Sequence, residues 1–230
     1  MNPELGDNLQ GKITLPAKDP QGVEIQGLGL FASCKSSPSI SRPDVYIGVN
    51  ITHIFFAKDS NYKYVEDYAF FSPKASKESY QLEVVYLPDT IVSIGDKSFQ
   101  NRCSDKLTYI RGLTSAPINN NITSIGESAF AGYVLNYNTV PVAALPSKLT
   151  SIGREAFSYN SGATFTTVPD KLQVLPYKCF QECKNVKINT FGGDNSDLTT
   201  IEEQCFKSAG ISVGPIDSLY FGKKVINLGK

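Results

Sequence analysis

Val65-Glu66-Asp67-Tyr68-Ala69-Phe70, Ile94-Gly95-Asp96-Lys97-Ser98-Phe99, Ile125-Gly126-Glu127-Ser128-Ala129-Phe130, Ile152-Gly153-Arg154-Glu155-Ala156-Phe157, Leu175-Pro176-Tyr177-Lys178-Cys179-Phe180 and Ile201-Glu202-Glu203-Gln204-Cys205-Phe206 are six versions of one passage. Each has an aliphatic residue, then Phe five positions later with a small residue just before it. The Phe-to-Phe steps, read from these numbers, are 29, 31, 27, 23 and 26 residues. A period of that size predicts a stack of coils in which each unit buries its apolar edge against its neighbours. The six Phe residues, Phe70, Phe99, Phe130, Phe157, Phe180 and Phe206, are the expected structural anchors.

A second element lies upstream. Leu87-Pro88-Asp89-Thr90-Ile91-Val92-Ser93-Ile94 aligns with Leu145-Pro146-Ser147-Lys148-Leu149-Thr150-Ser151-Ile152 and with Val168-Pro169-Asp170-Lys171-Leu172-Gln173-Val174-Leu175. The residues before Pro, as in Leu82-Glu83-Val84-Val85-Tyr86-Leu87 and Leu107-Thr108-Tyr109-Ile110-Arg111, are β-branched and aromatic and read as a strand. Pro ends it, having no N–H to give to the next coil. One coil is therefore a strand, a Pro turn, an aliphatic anchor, a Phe anchor and a variable loop. The stretch from aliphatic residue to Phe reads as a turn with a short helical or extended segment. Strands of successive coils would pair in parallel about 4.8 Å apart, so seven or eight coils span roughly 35 Å.

Residues 1–10 read as an extension, and 11–230 as one solenoid with a degenerate first coil over 11–50 and an incomplete final coil. In the first coil Ile13-Thr14-Leu15-Pro16 resembles the strand, and Ile25 and Phe31 resemble the anchors. Insertions at Lys35–Asn50, Asn136–Val140 and Asn189–Asp197 are expected to project from one edge, where bulk is tolerated. Val225-Ile226-Asn227-Leu228-Gly229 matches Ile91-Val92-Ser93-Ile94-Gly95 without a following Phe.

These passages resemble the BspA-like leucine-rich repeats, whose pattern is roughly Leu-x-x-Ile-x-Leu-Pro-x-x-Leu-x-x-Ile-Gly-x-x-Ala-Phe-x-x-Cys. Leu87-Pro88 through Phe99, Leu145-Pro146 through Phe157 and Phe180-Gln181-Glu182-Cys183 carry the match. The resemblance implies an α/β repeat solenoid: a right-handed stack with a parallel concave sheet and short helical or irregular convex segments. It implies export to the cell surface and binding to host proteins, other cells or extracellular matrix, and it supplies no catalytic residues.

Composition narrows the function further. Lys+Arg and Asp+Glu are equal at 22 each, so no long-range field favours nucleic acid or anionic lipid. No apolar run reaches the roughly 20 residues of a membrane span. The start, Met1 to Asn8, has neither the basic nor the apolar region of a secretory leader, which leaves an intracellular protein or the mature part of an exported one.

The sequence points to no enzyme, cofactor or metal. His53 is the one histidine and sits in a strand-like run, with no nucleophile and carboxylate marked out beside it. Gly27-Leu28-Gly29-Leu30-Phe31-Ala32 fits a loose dinucleotide pattern, but these residues already have a place in the repeat. Asp194-Asn195-Ser196-Asp197 offers oxygens in an order unlike an EF-hand and reads as a solvated turn. Asn50-Ile51-Thr52 and Asn121-Ile122-Thr123 are glycosylation sequons, relevant only to export from a eukaryotic cell. Five cysteines read as small packing residues: Cys179 and Cys205 in the column before Phe, and Cys34, Cys103 and Cys183 after a Phe anchor.

Aligning strands by repeat places Phe55, Tyr86, Arg111, Ala144, Thr167, Lys187 and Tyr220 in one outward column, with Tyr109 and His53 beside it. Tyr, Phe and Arg carry interface energy, although strands favour aromatics for ordinary reasons too. Phe55, Tyr86, Tyr109, Arg111, Lys187 and Tyr220 are the expected partner-binding residues. The partner would be a protein, an extracellular-matrix or host-surface ligand, or a glycan. The competing expectation is a spacer or stalk within a larger surface protein.

Overall fold

The computed structural model describes residues 10–29, 50–71, 81–101, 106–133, 138–210 and 219–229. Over these residues the chain forms β1 (Gln10–Leu15), β2 (Gly27–Leu28), β3 (Asn50–Phe56), β4 (Tyr64–Val65), β5 (Val84–Val85), β6 (Ser93–Ile94) and β7 (Tyr109–Ile110). There follow β8 (Ser124–Ile125), β9 (Ser151–Ile152), β10 (Val174–Leu175), β11 (Thr190–Phe191), β12 (Thr200–Ile201), β13 (Tyr220–Phe221) and β14 (Asn227–Leu228). All pairing between these strands is parallel.

The sheet orders are β1-β3-β5-β7, β2-β4-β6-β8-β9, β10-β12-β14 and β11-β13. Strands that pair are separated in sequence by one intervening strand over most of the chain, which is the signature of coils that each contribute to two ladders. One strand per coil was expected from the sequence. The second ladder runs through the aliphatic anchor itself: Ser93↔Ser124 and Ser124↔Ser151 face each other, as do Ile94↔Ile125 and Ile125↔Ile152. Two residues suffice because the side chains of adjacent positions point to opposite faces. The Ile enters the core and the Ser stays at the surface.

The six anchor rings form one continuous spine. Centroid separations are 4.8 Å for Phe70–Phe99, 5.2 Å for Phe99–Phe130, 5.1 Å for Phe130–Phe157, 5.8 Å for Phe157–Phe180 and 5.1 Å for Phe180–Phe206. Every pair is stacked, within the range that aromatic pairs prefer. Phe165 fits edge-on against both Phe157 and Phe180, where the spine is widest. The first five rings are fully buried and Phe206 is half-buried.

The stretch from aliphatic residue to Phe is not helical, and among the described residues there is no helix on any side of the stack. The cause is a left-handed residue two positions before each Phe: Tyr68, Lys97, Ser128, Glu155, Lys178 and Gln204 all have φ between 52° and 59°. That conformation breaks a right-handed helix. It also redirects the N–H groups. The N–H of Lys97 donates to Glu127 O of the next coil and that of Phe99 to Ala129 O, instead of to carbonyls four residues back. The same two bonds recur from Tyr68 and Phe70, Ser128 and Phe130, Glu155 and Phe157, and Lys178 and Phe180.

Three further expectations are corrected. Leu28, not Ile25, holds the aliphatic seat of the first coil, opposite Val65. Phe31 lies outside the described residues, as does most of the 35–50 insertion. The described parts of the other two insertions also put side chains into the core. Asn138 is fully buried, and its Nδ2 donates to Phe99 O and Phe130 O at 2.9 Å. In the 189–197 insertion Phe191 is buried and meets Phe206 edge-on at 5.1 Å.

Glycine fixes how closely the coils approach. A Cβ on Gly95 would lie 2.6 Å from Asp67 N, and one on Gly126 would lie 2.6 Å from Asp96 N. Gly126→Ala is therefore expected to cost about 1–3 kcal/mol, the range for overpacking, read from urea denaturation. Phe130→Ala removes a mid-spine ring and is expected to cost about 3–5 kcal/mol. Tyr86→Ala, at a site 38% exposed, should stay below about 1.5 kcal/mol. Equal losses for Phe130→Ala and Tyr86→Ala would overturn this division between core and surface.

Candidate functional site

Outward positions of the ladder β1-β3-β5-β7 gather the aromatic residues into one strip. Register pairs His53 with Val84 and Val84 with Tyr109, so His53 and Tyr109 share a row. The next outward row holds Phe55, Tyr86 and Arg111, set by the bonds Tyr86 N–H to Ile54 O and Arg111 N–H to Val85 O. Strand alternation puts Val85 and Leu87 inside and leaves Tyr86 outside; Leu82, before the strand, is buried as well.

The rings touch. Phe55 and Tyr86 stack with centroids 4.7 Å apart and planes 13° from parallel. His53 lies 6.2 Å from Phe55, also stacked, and Tyr109 packs at 5.6 Å from Tyr86 with a 52° tilt. Arg111 closes the strip. Its Nη1 donates to Leu87 O at 3.0 Å and its Nη2 to Asp89 Oδ2 at 2.8 Å. The guanidinium is thus held in place by a turn of the preceding coil, a restraint that sequence alignment had no means of finding.

Beyond Arg111 the expected column breaks up. Val142 bridges to Ala163 as an isolated pair, and Lys187 N–H reaches Phe165 O. Tyr220 stands opposite Thr190, three positions away from Lys187. Ala144 and Thr167 bring no ring to the surface. The surface aromatic strip is therefore His53, Phe55, Tyr86 and Tyr109 with Arg111, Tyr86 exposed and the others half-buried. Lys187 and Tyr220 lie apart from it, and Tyr220 belongs to the last described coil.

The outer face of the second ladder is different in kind. Ser93, Ser124 and Ser151 form a flat row beside Gly95, Gly126 and Gly153, bordered by Asp96, Glu127 and Arg154. Asp96 and Asp67 are engaged, Asp96 Oδ1 accepting from Glu127 N–H and Asp67 Oδ1 from Asp96 N–H, both at 2.7 Å. Near its far end Tyr177 carries the Arg154 guanidinium and Lys178 ammonium, each 4.9 Å from the ring centroid.

The residues weighed for chemistry have structural employment. His53 Nδ1 lies 2.9 Å from Thr52 Oγ1, inside the aromatic strip. Gly27 and Leu28 are β2, paired with β4. Asp197 is held below the usual carboxylate range by its hydrogen bond to Lys224, 3.1 Å away, with Lys171 adding to the effect. Asp194 faces Lys223 at 3.8 Å. Among the described residues no group of His, Cys, Asp and Glu side chains is placed to hold a metal ion.

Cys179, Cys183 and Cys205 are free and buried; Cys34 and Cys103 lie outside the described residues. Cys183 does more than pack. Its Sγ donates to Phe157 O at 2.8 Å, and Asn160, the matching residue one coil earlier, donates from Nδ2 to Phe130 O at 3.0 Å. Polar side chains in this column bond spine carbonyls from the side, and Phe157 O also accepts the Asn160 N–H at 3.0 Å. Burial pushes the Cys183 thiol up to about 12, and burial also raises Cys179 and Cys205.

A family model and one solved structure agree with this fold. Residues 20–111 and 104–229 match the family described as BspA type leucine rich repeat region, in six copies. Among solved structures the chain is similar to a leucine-rich repeat protein from Bacteroides ovatus, with 18% identity and a TM-score of 0.60. That match covers 95% of this chain and 47% of the other, so this chain spans about half of that structure's length. A leucine rich cell surface protein from Faecalibacterium prausnitzii is 13% identical over 93% of this chain and 88% of its own, with a TM-score of 0.23. No curated protein matches the sequence.

Raised thiol pKa values have a direct readout. At pH 8.5 an ordinary thiol is about half ionised, whereas Cys179, Cys183 and Cys205 stay protonated and enclosed. Peptide mapping after iodoacetamide treatment should find these three unmodified in native protein and fully modified in denaturant. Prompt native labelling of Cys183 would contradict its burial.

Proposed function

The chain belongs to the BspA-type leucine-rich repeat family, and on that premise we propose that it is a non-catalytic binding module of an exported or cell-surface protein. The observation that carries this reading is the strip of His53, Phe55, Tyr86 and Tyr109 closed by Arg111. Aromatic and Arg side chains concentrate binding energy when they are held rigidly and then desolvated. Here stacking fixes the rings and Asp89 fixes the guanidinium, so little side-chain freedom remains to be lost on association.

The arrangement favours a protein ligand over a glycan. Phe55 and Tyr86 lie nearly parallel at 4.7 Å, so each covers a face of the other. A sugar that stacks on an aromatic ring needs an open face. A protein surface can use ring edges and the Tyr hydroxyls. Extracellular matrix or another cell's surface protein fits the location implied by the family. A spacer or stalk is the second reading, supported by the uniform Ser93-Ser124-Ser151 row, which offers little beyond regular coils.

The experiment is a binding survey with the intact chain: purified extracellular-matrix proteins and a glycan panel, read by biolayer interferometry. At least one protein should bind, and Tyr86→Ala should weaken it tenfold or more, about 1.4 kcal/mol, with melting little changed. Binding that survives loss of Tyr86 and Phe55 together would move the site elsewhere. Binding to none of the proteins would favour the spacer.

A further inference from the structure

We infer that Pro176 makes the boundary between the coils of Phe157 and Phe180 a flex point, so that the stack moves as two rigid segments whose angle is set by what binds across them. The inference rests on backbone bonds and does not depend on the aromatic strip.

Along the second ladder two rungs tie a coil to the one before it. The first comes from the residue just past the aliphatic anchor. The N–H groups of Glu66, Gly95, Gly126, Gly153 and Glu202 donate to Leu28 O, Val65 O, Ile94 O, Ile125 O and Leu175 O, all at 2.7–2.9 Å. The second comes from two residues before the anchor: Thr123 N–H donates to Val92 O, Thr150 N–H to Thr123 O and Thr199 N–H to Gln173 O. In the coil of Phe180 the first position is Pro176, which has no N–H to give. Among the described residues Ile152 O receives no rung, and neither Gln173 N–H nor Val174 N–H reaches Thr150 O. The sheet accordingly stops at β9, and another starts at β10.

Side chains record the same opening. Ile152 is 7% exposed where Ile125 is 2% exposed, Ser151 is exposed where Ser124 is half-buried, and Val174 is 38% exposed. The Phe157–Phe180 interval, 5.8 Å, is the widest of the spine. The other sides of this boundary stay tied. The N–H groups of Glu155, Phe157 and Tyr159 donate to Tyr177 O, Cys179 O and Gln181 O, and Thr164 N–H donates to Val142 O. Phe165 is wedged against both rings. Coils bonded along two sides and released on the third turn about the bonded sides. The boundary before this one, between the coils of Phe130 and Phe157, keeps both rungs, and there Ala143 N–H reaches Leu113 O across the interrupted first ladder. The aromatic strip lies wholly in the first segment and Lys187 in the second. A partner that touches both segments selects one angle, whereas one confined to the strip selects none.

Residual dipolar couplings of the isotope-labelled intact chain test this. In the unaltered chain, backbone N–H couplings from β3 through Phe157 and from β10 through Phe206 should fit two alignment tensors of different magnitude. Pro176→Glu restores the donor with the residue type that holds this position at Glu66 and Glu202, and both sets should then share one magnitude. Pro176→Gly, matching Gly153, supplies the same N–H and should do likewise. One common magnitude in the unaltered chain would overturn the proposal, whether or not either variant folds. So would two different magnitudes in a folded Pro176→Glu or Pro176→Gly chain, because the flexing would then not arise from the missing N–H. Amide chemical shifts and circular dichroism melting establish that the variants are folded.

Discussion

Two spacings must agree for this chain to fold. Paired strands stand about 4.8 Å apart, and stacked phenyl rings come into contact with centroids about 4.5–7 Å apart. A coil that advances by one strand spacing therefore also advances by one ring. The anchors use this coincidence, with separations from 4.8 Å at Phe70–Phe99 to 5.8 Å at Phe157–Phe180. Where the interval is widest, Phe165 comes in edge-on to both neighbours. Loop length can vary from coil to coil because the ladders and the spine fix the rise, and the loop need only return the chain in time.

The spine creates a polar problem that the turns resolve. Each Phe sits in a tight bend in which alternate amides bond back three residues, while those of the left-handed residue and of Phe itself need partners outside the coil. Left-handed residues at Lys97, Ser128, Glu155 and their equivalents turn those N–H groups toward the next coil. The conformation costs something for a residue with a Cβ, yet it gives a buried amide a partner. Spine carbonyls are met from the side by Asn138, Asn160 and Cys183. An amide and a thiol thus meet spine carbonyls in adjacent coils, so Cys183 combines the packing of a small hydrophobe with a weak S–H donor.

The spine was legible in the sequence because every coil repeats an aliphatic residue and a Phe at one interval. The outward setting of Tyr86 and the shared row of His53 and Tyr109 were legible for the same reason, being consequences of strand alternation. The second ladder was not. Ser-Ile is too short to show a period of two, and its strand character comes from the neighbouring coil. The left-handed column was hidden because Tyr, Lys, Ser, Glu and Gln occupy it instead of Gly or Asn. Tyr220 and Lys187 were misaligned because insertions shift the count, and only backbone pairing reveals that Tyr220 faces Thr190.

The same distinction between regular and irregular parts bears on recognition. The row of Ser93, Ser124 and Ser151 offers nearly the same chemistry from coil to coil, so a ligand sliding along it by one step would find little change. Such a surface discriminates weakly, because specificity is a difference between competing poses. The aromatic strip has no such translational degeneracy. It is made of four different positions on neighbouring coils, ends at Arg111, and is followed by a break in the ladder before Val142. A partner docked there meets one register only. The uneven coil lengths that interrupt the ladder are therefore also what gives a repetitive scaffold one non-repeating surface, the property that the proposed binding role calls for.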